Sequence, residues 1–221
     1  VRDGKDPSAR REEMLAEVYN ALRILYGQPP KTFDFEYTDT DKVYHCDRGL
    51  TPKQFLDKYV GSDFADYAVI IASPIHAVNR TYCQPFMGDV VEDGMFWLNL
   101  SQEELEDLTI RQLQAGEGVM FSCDCHPDGD RANGYWDPDS FQYGEVLGGL
   151  TFHMTKAERM LTRDSTMNHC MMFCGVNLDE NGQPNRWKIE NSWGETAGQK
   201  GYYIGSEKWF QANVYQVTVR K

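Results

Sequence analysis

The sequence predicts an α+β protein, and three features carry that expectation. The first half of the chain mixes helix-period and strand-period segments, whereas the last third is mainly strand-like. Strands gathered late in a chain suit an α+β arrangement, because a doubly wound parallel sheet alternates strand and helix throughout. There is no internal repeat and no low-complexity tract.

Ser8 is placed to cap a first helix whose apolar residues Met14, Val18, Leu22 and Leu25 recur in steps of four, four and three, on one face. Gly27 and Pro29-Pro30 end it. The alternating run Phe33-Asp34-Phe35-Glu36-Tyr37 and the piece Val43–Cys46 read as strands. Thr51-Pro52 opens a short helix to Tyr59, since proline at the first helical position loses no hydrogen bond. Tyr67–Ala72 is a continuous apolar run, as in a buried strand; Ser73–Gly94 is irregular and expected as loop. Met95–Leu100 is a further strand, and Ser101 with Glu104 forms a capping box for a helix that reaches Gln114 and stops at Gly116. Gly118–Ser122 is the next strand. The stretch Cys123–Gly149 is rich in glycine and aromatics and is expected as a long loop. Its Tyr135, Trp136, Phe141 and Tyr143 either line a substrate cleft or pack beneath it. Strand-like runs at His169–Val176, Trp187–Asn191, Gly201–Ile204 and Val214–Val219 close the chain.

The 221 residues carry 22 Lys and Arg against 34 Asp and Glu, a net charge of −12 that disfavours a nucleic-acid partner. No run approaches the length of a membrane-spanning helix, and the N-terminal VRDGKDPSARREE is too polar for a signal peptide. Cys170 and Cys174 lie in an apolar run where thiols behave as small hydrophobes, and Cys123 and Cys125 are too close in sequence to bridge each other. A reducing, cytoplasmic location without disulfides is therefore expected. The chain begins with Val1 and stops at Lys221 in or just after a strand, so both ends read as cut.

The chemistry centres on His169 and Asn191. They share a midpoint at residue 180, inside the polar connection 177–186, so an antiparallel hairpin predicts them directly opposite each other, roughly 5 Å apart. The carbonyl of an asparagine accepts the proton-bearing nitrogen of an imidazole, which fixes tautomer and orientation while the other nitrogen faces a nucleophile. A neutral carboxamide suits a pair in which a thiolate supplies the anion. A purely structural hydrogen bond satisfies the same spacing.

The surrounding words sharpen the choice. Asn191-Ser192-Trp193-Gly194 after a strand, and His169 followed by an apolar run into Gly175, resemble the Asn and His segments of papain-like cysteine peptidases. The runs Met154–Arg159, Ser165–His169, Trp187–Gly194, Gly201-Tyr202, Glu207–Phe210 and Val214–Val217 together resemble the bleomycin hydrolase or aminopeptidase C branch in order and spacing. Gly27–Tyr37 is similar to that branch's helical insertion region, so residues 1–116 are expected as a mixed insertion region and 117–221 as the β-rich half of a papain-like core. The resemblance implies His169 as general base and acid, Asn191 as its orienting partner, and Trp193 as a shield over their hydrogen bond. It also implies a peptide substrate, no cofactor, and a homo-oligomer, hexameric in the family. Trp193 as plain core packing is the bland alternative.

The family's nucleophile, a cysteine followed by tryptophan at a helix start with a glutamine shortly before it, has no counterpart here. Cys83 precedes Gln84, and Cys123-Asp124-Cys125 sets its thiols beside an acid that raises a thiol pKa. The sequence therefore reads as the C-terminal half of a longer cysteine aminopeptidase, its partner being the N-terminal half that bears the cysteine. Two weaker readings are a non-catalytic scaffold and a zinc module on Cys123, Cys125 and His126 with His169, Cys170 and Cys174. The second suffers because paired zinc cysteines usually enclose two to four residues, so no metal is expected.

Overall fold

The computed structural model describes residues 7–61, 63–84, 95–151 and 154–221, and packing divides the chain into two units, Val1–Asp63 and Phe64–Lys221. In the first unit, helix α1 (Pro7–Tyr26) ends at Gly27, whose φ of 84° lets its N–H donate to the Arg23 carbonyl at 3.0 Å. The described part of the helix opens at Pro7, so Ser8 lies within it rather than at its cap. Strands β1 (Phe33–Thr38) and β2 (Tyr44–Leu50) form an antiparallel hairpin. Helix α2 (Pro52–Phe55), opened by a Thr51–Gln54 capping box and extended by a π-helical turn Leu56–Val60, sets Phe55 and Tyr59 against Phe35 with ring centroids 4.8 Å away in each case.

The second unit is built on one ten-stranded sheet. Its strands are β3 (Tyr67–Ile71), β4 (Arg80–Gln84), β5 (Met95–Asn99), β6 (Val119–Cys123), β7 (Gly129–Asp130), β8 (Tyr135–Trp136), β9 (His169–Leu178), β10 (Pro184–Glu190), β11 (Tyr202–Ser206) and β12 (Val214–Arg220). They lie in the order β4-β5-β3-β12-β6-β9-β10-β11-β8-β7, antiparallel except where β3 meets β5 and β11 meets β8. Helices α3 (Gln102–Gln114), α4 (Tyr143–Val146), α5 (Lys156–Thr162) and α6 (Glu207–Asn213) complete the unit.

Period-two alternation decides which face is core. On β6 the side chains of Val119, Phe121 and Cys123 are fully buried while Met120 is 45% exposed; on β9 Met171 and Phe173 are buried and Met172 is exposed. Phe121 and Phe173 stack with centroids 3.7 Å apart, and Leu105 of α3 with Trp209 and Phe210 of α6 pack in the same cluster. Gly205 is required at this contact, because a Cβ there would stand 2.8 Å from the Trp209 ring.

Most expected elements are present; β4, β7, β8, α4, α5 and α6 are additions, with β7, β8 and α4 inside the expected loop 123–149. Strand β4 lies within the expected loop 73–94, whose residues 85–94 are outside the described residues. The short helices α4, α5 and α6 were not expected. Thr155 and Glu158 form a capping box for α5, and Ser206 caps α6 through its hydroxyl, so a search for caps would have found both. The packing boundary falls at Asp63; residues 67–99, grouped with the helical part by sequence, supply three strands to the sheet that carries β9 and β12. Trp136 is 1% exposed and packs in the core, whereas Tyr135 and Tyr143 stay exposed. No helix among the described residues is long and apolar enough to cross a membrane.

Candidate active site

The β9–β10 connection sets the site's register. Asp179 and Gln183 close it through a backbone bond of 2.8 Å, the Asp179 carboxylate accepts the N–H groups of Asn181 and Gln183, and Gly182 takes a φ of 78°. This closure, with irregularities at Pro184/Arg186 and Lys188/Ile189, pairs Glu190 with Met172. His169 and Asn191 are therefore not directly opposed as expected. His169 pairs with Cys123 of β6, and Asn191 follows the last residue of β10, its N–H bonded to the Gly201 carbonyl at 3.1 Å. The two side chains nevertheless meet: His169 Nε2 lies 2.9 Å from Asn191 Oδ1. Both residues continue the inward phase of their strands, His169 in step with Met171 and Phe173, Asn191 with Trp187 and Ile189.

The neighbouring backbone fixes the roles. Asn191 Oδ1 also accepts the Ser192 N–H at 2.7 Å, which orients the carboxamide with its oxygen toward the imidazole. His169 Nε2 is then the donor, and Nδ1 is left as the basic nitrogen. The Trp193 ring stacks on the imidazole, centroids 5.0 Å apart and planes 20° apart. Trp193 is held in turn by Tyr203, edge-on at 5.8 Å, by Trp136 at 6.1 Å, and by the Arg131 guanidinium 4.7 Å from its ring. It is thus both packed against the core and laid over the imidazole.

Sequence reasoning missed a second group, at the root of β9. Asp124, with a side chain 5% exposed, accepts from Ser165 Oγ at 2.8 Å, Asn168 Nδ2 at 2.5 Å and the His126 N–H at 3.2 Å, and lies 3.8 Å from Arg159. Asn168, which precedes His169, further donates its N–H to the Cys123 carbonyl and accepts the Cys125 N–H, each at 3.0 Å. The chain entering His169 is therefore pinned on backbone and side chain alike. Only the closure of β6 onto β9 brings Asp124 to Asn168, and no local motif marks it.

The cysteines are placed elsewhere. Burial pushes the Cys123 thiol well up and raises Cys125, so neither is a ready thiolate. Cys170 Sγ contacts Ser122 Oγ at 3.1 Å and Cys174 donates to the Lys188 carbonyl at 3.5 Å. Among the described residues no thiol is hydrogen-bonded to His169, and no group of three or more His, Cys, Asp or Glu is arranged to hold a metal ion.

The chain as a whole has counterparts among known proteins. The model of the Peptidase C1-like family matches residues 2–221. The chain belongs to that family. Aminopeptidase W of Lactobacillus delbrueckii subsp. lactis is 39% identical over 221 residues, covering 99% of this chain and 50% of its own length. Aminopeptidase C of Listeria innocua is 39% identical over 224 residues, covering 100% and 50%. The crystal structure of PepW from Lactobacillus rhamnosis superposes with a TM-score of 0.90 at 42% identity, covering 100% of this chain and 50% of that one. This Peptidase C1-like chain spans about half the length of the curated relatives it matches.

Proposed function

We propose that the chain is the C-terminal half of a cysteine aminopeptidase, and that residues from 117 onward supply the proton-transfer part of a Cys-His-Asn triad. The observation that carries this reading is the His169 Nε2–Asn191 Oδ1 bond at 2.9 Å, with Nδ1 hydrogen-bonded to none of the described residues, in a family whose similar members are named aminopeptidases. The nucleophilic cysteine comes from the other half of the enzyme. Its thiol gives a proton to Nδ1, and the thiolate attacks the carbonyl carbon of a peptide bond. The imidazolium returns that proton to the leaving amine, and a thioester remains. Water, deprotonated by the same nitrogen, then hydrolyses the thioester and frees the acid. Asn191 keeps the ring in the orientation both transfers need. Trp193 keeps water off the His–Asn bond, which strengthens it. Action from the free N-terminus, a bleomycin-hydrolase-like hexamer and a cytoplasmic location belong to the same reading.

In the complete enzyme, His169→Ala should lower kcat on an aminoacyl arylamide by about 10²–10⁴, the usual worth of a positioned proton carrier, and Asn191→Ala should lower it less. Wild-type turnover by the His169→Ala enzyme would remove the assignment.

A further inference from the structure

Arg131 has no part in the triad, and its setting is unusual for this chain. The sequence carries an excess of twelve negative charges, yet this exposed guanidinium makes no ion pair among the described residues. The acids nearest in sequence are committed elsewhere: Asp130 accepts from the Ala132 and Asn133 N–H groups and from Asn133 Nδ2, and Asp128 accepts from Asn213 Nδ2. What holds Arg131 is Trp193, whose ring lies 4.7 Å from the guanidinium carbon. A guanidinium over an indole face is attracted to the ring while its N–H donors stay free for another group. The same indole stacks on His169 with centroids 5.0 Å apart, so imidazole and guanidinium are separated by no more than the sum of those two distances.

We propose that Arg131 binds the free C-terminal carboxylate of a short peptide substrate, so that the site selects leaving groups of one or two residues. This rests on His169 being the proton donor to the leaving amine. That amine must lie against His169 Nδ1, and a leaving fragment of one or two residues reaches roughly 3.5–7 Å beyond it, which puts its carboxylate within the span to the guanidinium. A planar carboxylate and a guanidinium form two parallel charge-assisted hydrogen bonds.

The test compares a tripeptide acid with the same tripeptide amide in the complete enzyme. The wild type should favour the acid about tenfold or more in kcat/KM. The acid-to-amide ratio should fall toward one in Arg131→Gln and be partly kept in Arg131→Lys, where the charge survives without the fork. A wild-type ratio near one, or a ratio that Arg131→Gln leaves intact, overturns the proposal. Binding of the two peptides to the His169→Ala enzyme, followed by tryptophan fluorescence, gives the same comparison without turnover. Equal affinities there also overturn it. A binding preference for the acid in an enzyme whose turnover ignores His169→Ala upholds the carboxylate site and removes the triad reading instead.

Discussion

Asp124 does for the backbone ahead of His169 what Asn191 does for the ring itself. A carboxylate that is 5% exposed is tolerable only where donors replace its hydration, and here Ser165, Asn168 and the His126 N–H do so, with Arg159 at 3.8 Å supplying opposite charge. Ser165 is tied on to the Tyr215 hydroxyl at 2.7 Å, so the group also links β9 to β12. Removing the carboxylate deprives the Ser165 hydroxyl and the Asn168 amide of an acceptor and leaves Arg159 with Asp164, 3.4 Å away, as its ion partner. Asp124→Ala should therefore cost about 3 kcal/mol of folding stability, read from the urea midpoint. Asp124→Asn, which keeps one acceptor oxygen, should cost less. Equal midpoints for Asp124→Ala and wild type would show that the group is not structural support.

At the scale of elements, caps decide where the helices begin. Ser101 accepts the Glu104 N–H at 3.1 Å and the Glu104 carboxylate accepts the Ser101 N–H at 2.9 Å, satisfying two otherwise unpaired donors of α3. Those bonds hold the Glu104 carboxyl below its ordinary range. Ser101→Ala should cost about 1 kcal/mol, measured by thermal or urea unfolding. An unchanged stability would mean that the packing of Leu105 alone fixes the helix start. The strands follow a different rule. Apolar alternation places β6, β9 and β12 from the sequence, but the pairing of β9 with β10 depends on how Asp179 and Gln183 close the connection, and that shifted the His–Asn register from the one symmetry about residue 180 suggests.

At the scale of the whole molecule, two partly buried groups set opposed pH dependences. Burial, and then Glu207 across the α3–α6 contact, push the Glu106 carboxyl up to about 8 from an ordinary 4.5, while Gln211 donates to both carboxylates. The folded state then holds the Glu106 proton more tightly than the unfolded chain does. Its contribution is fully present below about 4.5 and is lost as pH rises toward 8. Lys156, pushed down to about 7 by burial, contributes stability above its ordinary 10.5 that is lost as pH falls toward 7. Glu106→Gln isolates the first effect. The variant should match wild type in urea stability near pH 4.5 and exceed it increasingly up to pH 8; a constant difference would remove the account of a proton held more tightly at Glu106. The sequence by itself determined the α+β class, the main strands, the capped α3 and the pair His169 and Asn191, because each rests on local periodicity, local capping or a motif of adjacent residues. The tertiary structure alone decided that Asp124 supports Asn168, that Arg131 and His169 share the Trp193 ring, and that Glu106 meets Glu207. Those contacts join residues tens of positions apart, and strand pairing and helix packing, which no short window of sequence encodes, bring them together.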